Sequence, residues 1–252
     1  MSRRPLAGRP LPAAPEEIRE AEEVIATGEL EVVGLLPRAS NSTFLARACA
    51  GDREAMAVYK PVAGETPLWD FPDGSLAARE AAAYLVARSL GWPGVPPTVL
   101  RDGPQGFGAV QLFVEMDRRG EHYFTLAEHR ADDFRDVALF DLVVNNADRK
   151  SGHCLLDVAG RVFVIDHGVC FHQEPKLRTV IWEFAGEAVP AQRLADVERL
   201  EDELVRGELR RELSRLLSAG EVEATAKRAR SARSAGVFPH PGPGRPYPWP
   251  PV

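Results

Sequence analysis

The sequence predicts an α+β fold, β-rich in its first half and helical in its second, with an acid-bearing hairpin at the join. Three observations predict it. Short apolar runs divided by turn residues follow one another as far as Val114. Leucines at three-and-four spacing dominate from Leu194 onward. Between these halves, Asn145–His153 and Ile165-Asp166-His167-Gly168 place two carboxylates and a metal-capable imidazole on one loop–strand–turn–strand unit.

The elements follow in order. Pro15-Glu16-Glu17 opens a helix, with proline in its first turn and acids at the positive end of the dipole, and the pattern runs to Gly28. Leu30–Leu35 reads as a strand, Ser40-Asn41-Ser42 as a turn, and Thr43–Ala48 with Ala55–Lys60 as an antiparallel pair around Gly51-Asp52. Ser75 starts a helix to Leu90. Val95–Leu100 and Gly108–Val114 are strands, and the prolines put the first of them at a sheet edge. Asp132–Asn145 is helical. Cys154–Leu156 and Val162–Ile165 make a hairpin around Ala159-Gly160, and a two-residue turn there sets His153 opposite Asp166. Ser218-Ala219-Gly220-Glu221 is a capping box opening a last helix to Ser234. Residues 1–14 and the seven-proline segment 238–252 read as disordered ends.

Composition narrows the class. A chain of 252 residues holds one substantial core divided between two lobes. A net charge of −6 argues against nucleic acid as a partner. No apolar run spans a bilayer, and Met1–Pro5 leads into no apolar core of a signal peptide. Three scattered cysteines, Cys49, Cys154 and Cys170, suit a reducing cytoplasm better than a disulfide framework. Of 31 basic residues only four are lysines, so Lys60 at the end of Met56-Ala57-Val58-Tyr59 stands out as a chosen ammonium.

Singly, the candidates are ambiguous. Lys60 is a phosphate ligand or an edge-strand surface lysine. Glu80 is its ion-pair partner or a solvated helix glutamate. Ser40, Asn41 and Ser42 cradle phosphates or make an ordinary hairpin. Asp148 orients an acceptor hydroxyl or forms a turn, and Asp166, ending an apolar strand, needs a partner such as a divalent cation. Jointly, the order Lys, Glu, Asp and then Asp beyond a hairpin suits phosphoryl transfer.

That ordered set resembles the phosphatidylinositol 3-/4-kinase-like superfamily of atypical kinases, in particular the type II phosphatidylinositol 4-kinases and an actinobacterial branch. Ser40-Asn41-Ser42-Thr43-Phe44 with Ala57–Pro61 looks like its phosphate loop and lysine strand. Asn146-Ala147-Asp148-Arg149 looks like its catalytic loop, and Val164–Phe171 like its metal-binding segment. The resemblance implies a two-lobed protein-kinase-like fold over 15–237, the N-lobe to about 114 and the C-lobe beyond it. It implies ATP and Mg²⁺ or Mn²⁺ as cofactors, with Asp148 catalytic and Asp166 the principal metal ligand. Ser40, Asn41, Ser42 and Lys60 would hold phosphates, Glu80 would hold Lys60, and Gln111, Phe113 and Val114 would face adenine. The acceptor is a hydroxyl of a protein or small molecule in preference to a lipid, because the lipid kinases' cysteine cluster and any basic amphipathic helix are missing. His153 stands where the family has Asn as ligand for a second metal, and imidazole prefers Mn or Zn to Mg. A pseudokinase scaffold and a nucleotidyl transferase on the same fold therefore stay beside the kinase as alternatives.

Overall fold

The structure, a computed structural model, describes residues 11, 14–36, 41–117 and 119–252. Helix α1 (Pro15–Thr27) begins with proline at its first turn followed by Glu16 and Glu17, and buries Val24 and Ile25 against the sheet. Leu11, within the stretch expected to be disordered, is buried in that same core, and its carbonyl accepts from Arg161. Five antiparallel strands follow: β1 (Glu29–Leu35), β2 (Phe44–Ala50), β3 (Arg53–Pro61), β4 (Thr98–Gly103) and β5 (Gly106–Leu112). Their order is β1-β2-β3-β5-β4, so the strand entered through Pro96 and Pro97 does lie at an edge. It begins three residues later than the apolar run, because those prolines offer the ladder no N–H groups.

Helix α2 (Leu76–Leu90) carries eleven buried residues, since one side faces the sheet and the other faces the helical lobe. Glu65 caps it, accepting from the backbone N–H groups of Leu76 (3.1 Å) and Ala77 (2.8 Å). The second half contains α3 (Tyr123–Leu126), α4 (Ala131–Val144), α5 (Ala191–Arg206), α6 (Glu208–Leu213) and α7 (Ala219–Ala235). Helix α7 opens with the capping box expected from the sequence: Ser218 Oγ accepts from Glu221 N, and the Glu221 carboxylate accepts from Ser218 N at 2.8 Å. The same carboxylate pairs with the buried guanidinium of Arg79, which also donates to the Cys170 carbonyl at 2.7 Å. Two cores result, one between α1 and the sheet and one among the helices. Among the described residues no helix is long and apolar enough to cross a membrane.

Strands β6 (Cys154–Leu156) and β7 (Val162–Val164) form a hairpin between the two cores. Leu155 and Phe163 join the sheet core, whereas Cys154, Leu156, Val162 and Val164 join the helical core. The register differs by one residue from the expected one: Cys154 pairs with Val164 and Leu156 with Val162, so His153 is level with Ile165. The cause is the Asp157 side chain, which accepts from Ala159 N and Arg161 N and closes a three-residue loop with Gly160 at φ +77°.

Segment 238–252 also departs from expectation. It has no regular structure, as its prolines dictate, but it is docked on the helical lobe. Phe238 is 3% exposed. The Pro246 carbonyl accepts from Thr179 N (3.0 Å) and Trp182 Nε1 (3.2 Å), and the Pro251 carbonyl accepts from Ser151 N (2.9 Å). Proline removes a donor and keeps an acceptor, so beyond Phe238, whose N–H donates to the Glu187 carbonyl at 2.9 Å, the segment anchors through carbonyls.

The Arg79–Glu221 pair ties α2 to α7, and losing one partner strands a buried charge. Glu221→Ala is expected to cost about 3–5 kcal/mol of stability, read as a lower urea midpoint. A change below about 0.5 kcal/mol would show that the pair and its cap are ornamental.

Candidate active site

Lys60, near the end of β3, pairs with Glu80 of α2 and lies 3.1 Å from Asp166 Oδ1. Glu80 is 3% exposed, and its other oxygen accepts the backbone N–H of His167 at 2.9 Å. Burial works against the charged ammonium, yet Asp166 and Glu80 outweigh it and hold Lys60 above the ordinary lysine value. Lys60 in turn holds the Asp166 carboxyl well below the usual carboxylate range. Asp166 follows β7 in the left-handed region, φ +62°. An aspartate tolerates that conformation better than most residues, and it turns the chain sharply between Ile165 and the buried His167.

The loop opposite is built on α4. Asn145 ends that helix at φ +55°, and its side chain donates to the carbonyls of His172 and Glu174 and accepts from Lys176 N. Asn146 donates to Asp141 Oδ1 at 3.0 Å and accepts the backbone N–H of Asp148 at 2.9 Å. Asp148 Oδ2 lies 3.2 Å from Lys150 Nζ. Burial raises the Asp148 carboxyl above its ordinary value, with Lys150 opposing the shift. A carboxyl poised upward in this way suits a group that accepts a proton.

Arg149 is fully buried and uses every donor it has. It reaches both oxygens of Asp141 (2.9 and 3.0 Å), the carbonyls of Ile165 (2.9 Å) and His153 (3.5 Å), and His167 Nε2 (2.7 Å). A guanidinium only donates, so His167 Nε2 accepts and the ring is neutral. Burial, with Arg149 next, drives its pKa well below the usual value.

His153 Nε2 is 3.2 Å from Asp166 Oδ2. Its Nδ1 accepts the Lys150 backbone N–H at 3.4 Å, so in the neutral ring the proton lies on Nε2, facing the carboxylate. Burial lowers its pKa from 6.5 to about 4. Arranged thus, His153 supports Asp166 electrostatically, and the lone pair expected to bind metal points elsewhere. Among the described residues no group of three or more His, Cys, Asp or Glu is assembled as a metal cage. Asp166, a hard oxygen donor half open to the cleft, fits an ion that takes its other ligands from phosphates and water.

The remaining predicted residues divide. Ser40 lies outside the described residues. Asn41 accepts Thr66 N at 2.8 Å and Ser42 N donates to the Gly64 carbonyl at 3.1 Å, which lays this turn against the segment that follows Lys60. A Cβ on Gly64 would stand 2.6 Å from Ser42 Cβ, so only glycine allows the approach. Phe113 N is taken by the Met56 carbonyl at 3.0 Å. Val114 follows with its side chain in the sheet core, and among the described residues its N–H and carbonyl have no partner. Gln111 is a correction: it lies within the β3–β5–β4 ladder, 4% exposed, with its amide donating to Thr98 Oγ1 at 2.8 Å. Its side chain lies on the same face of the sheet as Lys60, opposite Val110 and Leu112, and its backbone groups, expected to meet adenine, belong to the ladder instead.

Sequence reasoning missed Asp141 and gave His167 no role. The signal for Asp141 was available. It falls on the inward stripe Phe134, Val137, Ala138, Asp141, Leu142, where an acid demands a buried cation. Lysine scarcity was a better signal than it looked. Lys60 and Lys150 pair with acids of this site, and Lys176 pairs with Asp70 beside it.

A model of the phosphatidylinositol 3- and 4-kinase family matches residues 100–218. Protein Rv2133c of Mycobacterium tuberculosis is 42% identical over 264 residues, covering 90% of this chain and 94% of its own. The chain belongs to the phosphatidylinositol 3-/4-kinase-like superfamily of atypical kinases. Kinase structures share the fold at 12% identity. The Helicobacter pylori proinflammatory kinase CtkA aligns with TM-score 0.54 over 85% of this chain and 94% of that one. The Golgi casein kinase with Mn/ADP bound aligns with TM-score 0.56 over 88% and 76%. The α+β, kinase-like architecture expected from the sequence is therefore the observed one.

Two buried neutral imidazoles make stability depend on pH. The unfolded chain binds protons at these rings near pH 6.5, whereas folded His153 does so only near 4. Their contribution is present above 6.5 and is lost as pH falls toward 4. Thermal midpoints should drop between about pH 7 and about pH 4.5, less steeply for His153→Asn. A flat profile, or equal slopes for both proteins, would contradict the assignment.

Proposed function

We propose that this kinase-family chain is an ATP-dependent phosphotransferase that moves the γ-phosphoryl group to a hydroxyl, with Asp148 orienting the acceptor. The observation that carries this reading is Lys60 held between Glu80 and Asp166, opposite Asp148 on its own braced loop. The acceptor oxygen attacks the γ-phosphorus, the bond to the β–γ bridging oxygen breaks, ADP departs with the electron pair, and the hydroxyl proton passes to Asp148. Lys60 meets phosphate oxygens, and the free backbone groups of Val114 face the base. A divalent ion on Asp166, when bound, supplies neutralisation of phosphate charge. Positioning and electrostatics do most of the work. Free Cys49, Cys154 and Cys170 support a cytoplasmic setting.

His153 favours a second reading, a nucleotide-binding scaffold without turnover, because it occupies a ligand position yet faces Asp166 with its proton. Nucleotidyl transfer differs in its product, pyrophosphate instead of ADP.

Calorimetric titration with ATP, with Mg²⁺, with Mn²⁺ and without metal, tests the cleft. Metal-dependent binding is expected, lost in Asp166→Ala and weakened about tenfold in Lys60→Ala. Binding with neither metal would remove the reading. In the turnover assay, Asp148→Ala should lower ADP release about 100-fold or more while leaving ATP affinity in place. A scaffold would show no metal-dependent release for the mutant to remove. His153→Asn should preserve or raise Mg²⁺-supported turnover, and its abolition would assign the imidazole an indispensable role.

A further inference from the structure

The docked C-terminal segment makes a groove of about 520 Å³ lined by Gly244, Arg245, Pro246, Tyr247, Pro248 and Trp249. Its volume matches a small molecule. The groove is tied to the catalytic loop at both ends: Pro246 accepts from Thr179, whose neighbours Arg178 and Val180 bond to Arg149, and Pro251 accepts from Ser151, three residues beyond Asp148. Its walls are two aromatic rings left open to solvent, Tyr247 at 53% and Trp249 at 85% exposure. Neither ring is in the hydrophobic cores, so packing does not account for them.

Charge adds a second constraint. The chain carries −6 overall, and most of its arginines are matched to acids. The guanidinium of Arg245 has no partner among the described residues, nor does that of Arg178, whose backbone brackets Asn146 and Arg149. An exposed, uncompensated guanidinium on a segment bonded to the loop of Asp148 suits a phosphate, which it binds through paired N–H groups. The electron-rich faces of Trp249 and Tyr247 suit the weakly positive C–H face of a saturated ring. A sugar phosphate combines ring face, anion and free hydroxyl in one molecule.

We propose that the Gly244–Trp249 groove is the acceptor subsite and that the acceptor is a phosphorylated sugar. The proposal rests on the kinase reading, for it takes Asp148 as the group to which the groove presents a hydroxyl. Arg245 pairs with the existing phosphate and Trp249 stacks on the ring.

The test is a thermal-shift and calorimetric series on the full-length chain with hexose and pentose phosphates, the parent neutral sugars and inorganic phosphate, each with and without saturating ADP. At least one sugar phosphate is expected to bind saturably with ADP present, more tightly than its neutral sugar or phosphate alone. Arg245→Ala and Trp249→Ala should each weaken that binding about tenfold or more, while Arg245→Lys retains part of it. Both side chains are exposed, so unfolding should not confuse the result, and unchanged ATP affinity in each variant verifies it. No binding across the series, or binding indifferent to both alanine variants, would overturn the proposal. The kinase reading fails separately, on absent ATP binding by the unaltered protein.

Discussion

Everything around the loop that carries Asp148 depends on one fully buried ion pair. Arg149 and Asp141 are both withdrawn from water, which is costly for each charge and tolerable only when every hydrogen-bonding group is matched. Here they are. Two donors go to Asp141, two to the carbonyls of Ile165 and His153, and one to His167. One side chain therefore fixes the end of α4, the turn after β7 and the imidazole beside Asp166. Asp141 also holds Asn146, and Asn146 holds the Asp148 amide. The chain of bonds leaves Asp148 and Asp166 as groups whose backbones are immobilised while their carboxylates stay accessible.

The hairpin between the lobes explains how a two-core protein keeps one cleft. With side chains alternating along β6 and β7, one face closes the sheet core and the other closes the helical core. Any displacement of one lobe is felt through the same six residues. The contact of Glu80 with His167 N adds a polar link between α2 and that unit, so the position of Lys60 is referenced to the segment that carries Asp166.

Much of this was legible in the sequence because it is periodic or local. The stripe of α4, the leucine spacing of α5 and α6 and the Ser218–Glu221 box are signatures that a few residues carry by themselves. The Lys60, Glu80, Asp148 and Asp166 constellation was legible only as an order, since each residue is ordinary alone. What escaped is what depends on partners distant in sequence. The hairpin slipped by one residue because an Asp157 carboxylate, absent from turn-dipeptide rules, closes the loop. Gln111 was misplaced because its place between Val58 of β3 and Thr98 of β4 is set by strand order, which no local pattern carries. The docked tail was invisible because proline carbonyls anchor it, and a carbonyl has no letter of its own in the sequence.

The Lys150–Asp148 contact covers the carboxylate with an ammonium 3.2 Å away. On the kinase reading, an incoming hydroxyl must displace an ammonium before it can reach the carboxylate. An acceptor gripped elsewhere brings binding energy to that displacement, whereas a lone water brings none. On that same reading the lysine would be a guard against futile hydrolysis, standing between Asp148 and any water that strays into the cleft.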